Sequence, residues 1–418
     1  MRILVLSPYL PHRHVGHGGG IAVRGLLTYL ARRHNVTLAA LVRPGERDFL
    51  SDVTKLGVEV VPYPFADRKS RGLARTRLVA SRAWALGRSL RSRYPYYVEK
   101  YWSRSLSRQI LATAAALRPD AIQIEYMQLA PYCRDLRRWR NSLTQVSPEL
   151  PRPRLVLNSH ELGSLPRRRR AAMASSVLQR VPLLFEARAW ERLQVDATQW
   201  ADTTLCVTDQ DQILLQAMGG QHCQCVPLGM DTEVIQPVWQ APNSTKFLFV
   251  GSFDHGPNRT AAQFLVDNVW PIVTQYVSSG RLLLAGRGSE EFLRAHGNVP
   301  PEIEALGYVD DLGTLYRECR LFVAPLAEGG GIKIKILEAM AHGIPVVTTP
   351  IGAEGIVDPS EEALWIAEPD TTFAGAILHT LQTPAECQHR AIKARQLIEN
   401  RFSWFSITER LTTIYGGS

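Results

Sequence analysis

Lys335 and Glu338 stand three residues apart, directly after three consecutive glycines, Gly329–Gly331. On a helix that spacing puts both side chains on one face, one turn from each other. Glycines leave backbone N–H groups uncovered and a helix start adds partial positive charge, so together they seat a phosphate. The ammonium of Lys335 falls at the phosphate end. The carboxylate of Glu338, one turn deeper, accepts hydrogen bonds from a neutral polyol such as a ribose. Glu328, Ile332 and Lys333 flank the glycines, and the helix is expected to start near Ile332. A diphosphate on the loop and lysine, with a pentose on the glutamate, describes a nucleotide-sugar site. The loop alone does not identify the ligand.

Other residues carry weaker signals. Gly18, Gly19 and Gly20 follow the first predicted strand. A dinucleotide fingerprint requires G-x-G-x-x-G and an acid about 20 positions on. Here the spacing differs and the second strand ends in Leu41-Val42-Arg43, so a phosphate- or acceptor-facing loop is the better reading, a plain turn the alternative. His160 and Arg287 each directly follow a predicted strand, where ligands of parallel sheets bind. A guanidinium there meets phosphate or base; a surface turn is the other reading of Arg287. His222, Cys223 and Cys225 lack a fourth ligand at suitable spacing, which argues against a metal site. Arg167–Arg170 reads as a solvated loop, with membrane or acceptor contact as the alternative.

The elements that must position these residues alternate. Strands are predicted at Arg2–Ser7, Val36–Val42, Val58–Tyr63, Ala121–Glu125, Leu155–Ser159 and Ala201–Thr208, with a helix over Ile21–Arg33. Residues 67–110 form a basic, helical-looking stretch. Cys225–Asp231 is turn-rich and reads as a boundary. Beyond it come strand Phe247–Val250, helix Thr260–Tyr276, strand Arg281–Leu284, a strand at Gly307–Val309, strand Leu321–Val323 and strand Ile344–Thr348. Helices follow over Thr372–Arg401 and near Trp404–Tyr415. Strands alternating with helices imply α/β architecture with two doubly wound parallel sheets and a cleft between them as the natural site.

Size and charge bound the reading. A chain of 418 residues, 45% hydrophobic, can bury two cores. No run reaches the ~18 apolar residues of a membrane span. The apolar stretch Ile3–Leu6 is too short for a signal peptide. Six scattered cysteines suit a reducing, cytoplasmic compartment. Residues 1–200 hold 34 Lys and Arg against 14 Asp and Glu, a net of +20; the remainder holds 14 against 25, a net of −11. A basic first half suits an anionic membrane surface, an anionic acceptor or nucleic acid. The absence of a recognised nucleic-acid module argues against the last.

Several motifs resemble the retaining GT-B glycosyltransferases of the large "group 1" (family 4-like) type, over most of the second half and parts of the first. Phe249-Val250-Gly251-Ser252-Phe253 with Pro257-Asn258 looks like the opening strand and loop of the donor domain. Gly307-Tyr308-Val309-Asp310-Asp311 looks like the loop whose backbone holds the base. Leu337-Glu338-Ala339-Met340-Ala341 with Gly343-Ile344-Pro345-Val346-Val347 is the most specific match; Glu338 corresponds to the second, ribose-binding glutamate of a Glu-x7-Glu signature. Gly18–Gly20, His160 and Val226–Asp231 match weakly. Two departures stand out. Gly330 occupies the place of the first signature glutamate, with Glu328 two residues early. Ser252 stands where an arginine is usual, so charge on a diphosphate falls to Lys335, with Lys333 or Arg259 assisting.

The resemblance implies an acceptor-side domain over 1–228, a donor domain over 229–401 and a last helix, 402–418, crossing back to the first domain. It implies transfer from a UDP- or GDP-linked sugar to a glycan or lipid-linked acceptor with retention, and no metal. A subset with G-G-G-x-K-x-K-x-L-E-A-M serves cell-surface polysaccharide or glycolipid assembly. On this reading Lys335, Glu338, His160 and Glu328 are the catalytic candidates. Gly18, Gly19, Gly20, Gly251, Asn258, Arg259, Arg287, Tyr308, Val309, Gly329, Gly330, Gly331, Ile332 and Lys333 are the binding candidates. A nucleotide-sugar-binding protein that has lost chemistry, motivated by Gly330, and another GT-B enzyme (an epimerase or inverting transferase) are the alternatives.

Overall fold

Aliphatic and β-branched runs with no polar alternation suit strands covered on both faces, as in parallel sheets. The computed structural model, which describes residues 1–15, 18–65, 73–146, 152–238, 243–297 and 299–416, holds two such sheets. Gly16, which precedes Gly18–Gly20 in the glycine-rich stretch after the first strand, and the first part of the basic 67–110 stretch lie outside the described residues. The chain divides into one unit of Met1–Pro227 with Ile407–Ser418, and a second of Leu228–Ser406.

The first unit contains β1 (Arg2–Ser7), β2 (Asn35–Val42), β3 (Glu59–Pro64), β4 (Ala121–Glu125), β5 (Arg154–Asn158), β6 (Thr203–Cys206) and β7 (Cys223–Cys225). All pair in parallel in the order β3-β2-β1-β4-β5-β6-β7. Leu4, Leu6, Ile122, Ile124, Leu155 and Leu157 form the centre of its core. The second unit contains β8 (Lys246–Val250), β9 (Arg281–Ala285), β10 (Ile303–Gly307), β11 (Leu321–Ala324), β12 (Val346–Thr348) and β13 (Trp365–Ile366), parallel in the order β10-β9-β8-β11-β12-β13. Phe247, Phe249, Trp270, Phe322 and Phe373 are buried there. In each sheet the order of strands reverses beside the first one, at β1/β4 and at β8/β11. Ligands of doubly wound sheets bind at that switch point, outside the carboxyl ends of the strands.

Several expectations require correction. Gly18–Gly20 are not a loop; they form the first turn of helix Gly18–Leu30. A Cβ on Gly19 would lie 1.7 Å from Tyr126 Oη and 2.8 Å from Tyr9 Oη, so the glycine lets the helix start approach two tyrosines. The strand expected at Gly307–Val309 runs instead over Ile303–Gly307, where Gly307, at φ +64°, ends it. Helix Thr260–Tyr276 is two helices, Gly256–Phe264 and Trp270–Tyr276, joined by a π turn at Leu265–Val269. Pro271 has no N–H to give, and the wider turn absorbs the break. Arg167–Arg170 lie in helix Ser164–Met173 and not in a loop. The helix after the glycines starts at Ile334, two residues later than expected.

Candidate active site

In the second unit, loops after four neighbouring strands converge at the carboxyl edge of the sheet. Tyr308 and Val309 follow β10, Arg287 follows β9, Gly251 and Ser252 follow β8, and Glu328–Lys333 follow β11. The first three are stitched together by main-chain bonds: Gly286 N–H donates to Gly307 O at 2.7 Å, Gly251 N–H to Ala285 O at 2.9 Å and Phe253 N–H to Arg287 O at 2.8 Å.

Lys335 enters this edge from the first turn of helix Ile334–Ala341. Its Nζ donates to Asn258 Oδ1 and lies 4.8 Å from the centre of the Phe249 ring. Asn258 is itself held by donating Nδ2–H to Ser252 O at 2.8 Å, which aims its carbonyl at the lysine. A Cβ on Gly251 would meet Asn258 Cγ at 2.8 Å and Lys335 Nζ at 2.9 Å, so only glycine leaves room for the pair. Among the described residues no carboxylate pairs with Lys335. Burial lowers its pKa to about 7, and the nearby charge of Lys333 pushes the same way. Burial likewise raises Glu338 to about 7. A half-buried cation with one neutral acceptor, and a half-buried carboxylate one turn on, favour a ligand that brings an anion and hydroxyl donors to the two places.

The glycine loop carries unusual backbone: Gly329 has φ +126° and Gly331 φ +65°. Among the described residues the N–H groups of Gly330 and Gly331 make no hydrogen bond. Lys333 caps no amide. Its Nζ donates to Gly331 O at 2.5 Å and sits 3.8 Å from Glu354 Oε2, so it braces the loop from behind. Ile332 is buried beneath the loop. Glu328, at the bend before the glycines, is partly exposed. Arg259 and Arg287 are exposed at the rim, as is Tyr308. Tyr316, which the sequence did not single out, is fully buried; among the described residues its hydroxyl finds no partner, and burial with the neighbouring Glu338 carboxylate raises its pKa.

A separate constellation occupies the first unit's switch point. His160 follows β5 by two residues and adopts φ +58°; Tyr126, just after β4, adopts φ +70°. Non-glycine residues in that region carry strain, which clusters at functional sites. The two rings stack with centroids 3.6 Å apart and planes at 1°. His160 Nε2 lies 2.5 Å from Glu125 Oε2, and Asn158 Nδ2–H donates to the same oxygen at 3.2 Å. Beside them is a cavity of about 160 Å³ walled by Tyr97, Tyr126, Gln128, Glu161, Arg167 and Trp190. Glu125 and Tyr126 were missed in the sequence. Their signal was the one that marked His160, a position at the carboxyl end of a buried strand.

Residues 244–383 match the family described as "Glycosyl transferases group 1". The chain is 26% identical over 209 residues to the phosphatidyl-myo-inositol mannosyltransferase of Mycobacterium leprae, covering 48% of this chain and 55% of that protein. It is 29% identical over 152 residues to the lipopolysaccharide core biosynthesis mannosyltransferase LpsB of Rhizobium meliloti, covering 32% and 43%. It thus spans about half the length of the curated relatives it matches. Among solved structures, sucrose-phosphate synthase from Thermosynechococcus elongatus aligns with a TM-score of 0.67 at 18% identity, over 100% of this chain and 99% of that one. Anabaena HepE in complex with UDP-glucose aligns with a TM-score of 0.65 at 14% identity, over 100% of both chains. Two doubly wound parallel sheets with these structural neighbours make the fold the two-domain α/β GT-B architecture, and its second unit carries the match to the group 1 glycosyl transferases.

Proposed function

We propose that the protein is a retaining hexosyltransferase that moves a sugar from a nucleoside-diphosphate donor to a glycan or lipid-linked acceptor in polysaccharide or glycolipid synthesis. The observation that carries this reading is the Lys335 ammonium, held by Asn258 and, among the described residues, without a carboxylate partner, beside the open N–H groups of Gly330 and Gly331 and one turn ahead of Glu338. The diphosphate sits on the Gly329–Gly331 loop and Lys335, the ribose on Glu338, and the base beside Tyr308 and Val309. The bond from the anomeric carbon to the diphosphate breaks, and the acceptor oxygen bonds to that carbon on the same face. The acceptor proton passes to the departing phosphate oxygen. Lys335 and the helix start stabilise the charge that develops there, so this reading requires no bound metal. His160 and the cavity beside it serve the acceptor side and the sugar hydroxyls. The mannosyltransferase names of the relatives and the UDP-glucose in the HepE structure support the class of donor.

The test is a thermal-shift panel of UDP-, GDP- and ADP-sugars followed by transfer assays, with NMR of the product's anomeric carbon. A bound donor raises the melting temperature by mass action, and the product keeps the donor's anomeric configuration. Inversion would remove the retaining step. Gly330, in the place of a signature glutamate, favours one other reading: a protein that binds the donor without chemistry. Stabilisation by a donor with no transfer or hydrolysis would establish that reading instead.

A further inference from the structure

Between Glu161 and Glu186 the chain carries five arginines and no acidic residue. This stretch forms helix Ser164–Met173, a short turn, and the first part of helix Val177–Thr198, and the two helices pack on each other. Residues 175–182 are all exposed. Large apolar side chains gather there: Met173 is 77% exposed, Val177 73%, Leu178 88%, Val181 56% and Phe185 72%. At a helical step of about 100° per residue, Val177, Leu178, Val181 and Phe185 fall within one arc of roughly 100°. The acids nearest this tip are already engaged: Arg167 Nε lies 2.8 Å from Glu186 Oε1, and Arg168 pairs with Glu191. Arg170, Arg180 and Arg188 are exposed around the apolar arc.

Exposed apolar residues on a soluble surface are ordinarily scattered singly. A cluster at one helical tip, ringed by cations and with its nearest carboxylates already paired, has the composition of an element that lies in a membrane interface. We propose that this pair of helices docks on a bilayer carrying anionic lipid. The apolar tip enters the boundary between headgroups and acyl chains, and the arginines meet lipid phosphates. Among the described residues no helix is long and apolar enough to cross a membrane. Nucleic acid fits less well, because base stacking requires aromatic platforms and four of the five apolar residues are aliphatic. The same two helices contribute Arg167 and Trp190 to the cavity wall beside His160. Docking here therefore carries that cavity to the lipid surface.

The experiment is co-sedimentation of the full chain with sucrose-loaded vesicles of phosphatidylcholine alone, or with about one third phosphatidylglycerol, at low and high salt. The variants are Leu178→Ser with Phe185→Ser, and Arg170→Gln with Arg180→Gln; all four positions are exposed, and unchanged melting temperatures verify the fold. The wild type is expected to bind anionic vesicles about tenfold more strongly than neutral ones, with the difference shrinking at high salt. The apolar pair is expected to lose about tenfold or more on both vesicle types, and the arginine pair to lose binding on anionic vesicles alone. No binding by the wild type, equal binding to both lipids, or wild-type binding by both variants overturns the proposal. Self-association of the wild type, abolished in the apolar variant and without vesicle binding, overturns it in favour of a contact between copies. The readout needs no turnover, so it stands or falls apart from the proposed reaction.

Discussion

At the scale of single residues, the proposed reaction rests on two groups displaced in opposite directions to the same place. Lys335 falls to about 7 and Glu338 rises to about 7, both chiefly through burial. On the proposed reading, the ammonium assigned to the diphosphate is present below that pH and lost above it, and the carboxylate assigned to the ribose is present above it and lost below. The two requirements cross, so kcat/KM for the donor should peak near pH 7 and fall on both sides. Glu338→Gln should weaken donor binding and flatten the acid limb. Lys335→Arg, whose guanidinium keeps its charge, should flatten the alkaline limb. Lys335→Ala should slow transfer by about 10²–10³. A wild-type profile that is level between about pH 5 and 9 would refute the assignment. The Lys335–Glu338 pair was legible because helical spacing is local. The bracing role of Lys333 and the aim of Asn258 were not, since both depend on partners, Glu354 and Ser252, that only the folded chain brings near.

At the scale of elements, the carboxyl edge of the second sheet works only if its loops close to within contact. Gly251→Ala tests this: the added methyl falls 2.8 Å from Asn258 Cγ and 2.9 Å from Lys335 Nζ, and one of them must move. Donor affinity should drop by about tenfold or more, the scale of losing a charge-assisted hydrogen bond, with a smaller loss of stability. Gly256→Ala, five residues on, meets nothing within 4 Å and should leave donor affinity unchanged, as titration calorimetry would register. An equal response from both variants would dissociate Gly251 from the site. Most of the elements were visible as apolar runs between turn residues, β1 and β4 to the residue. The failures have physical causes. Strands β7 and β13 have three and two residues, too short to show a pattern. Gly18–Gly20 look like a loop by composition, yet they open a helix, where Gly19 lies too close to Tyr9 and Tyr126 to carry a Cβ. The arginines of helix Ser164–Met173 look like a solvated loop, but arginine is also a good helix former, and the sequence pattern did not separate exposed Arg168 and Arg170 from partly buried Arg167 and Arg169.

At the scale of the whole chain, the last helix joins residues that the sequence holds far apart. Trp404–Gly416 is expected as a helix, and the resemblance implies that it crosses to the first domain, but its individual partners are not legible, because no local pattern encodes a contact across nearly three hundred residues. Within the first unit, His34 Nε2 and Thr412 Oγ1 lie 2.9 Å apart, and Arg410 donates to Cys225 O at 2.6 Å. Tyr415, fully buried, donates its hydroxyl to Gln123 Oε1. Gln123 in turn donates Nε2–H to Glu125 Oε1, and the other carboxylate oxygen holds His160. Two polar residues inside the otherwise apolar strand β4 are thereby satisfied in a chain that runs from helix Trp404–Gly416 to the strained histidine. Tyr415→Phe keeps the ring and removes one donor, leaving Gln123 Oε1 buried and short of a partner. That should cost about 1–3 kcal/mol, or roughly 2–4 °C of melting temperature per kcal/mol for a unit of this size. If the chain also fixes His160, the same variant should alter the acceptor's KM or kcat while leaving donor affinity as it was. Glu125→Gln, which keeps the shape of the link and changes its charge, should act more strongly on acceptor kinetics than on melting. A Tyr415→Phe protein that melts as the wild type does would show that the chain of hydrogen bonds bears no weight, and a fall in donor affinity would show that the last helix acts somewhere other than through His160.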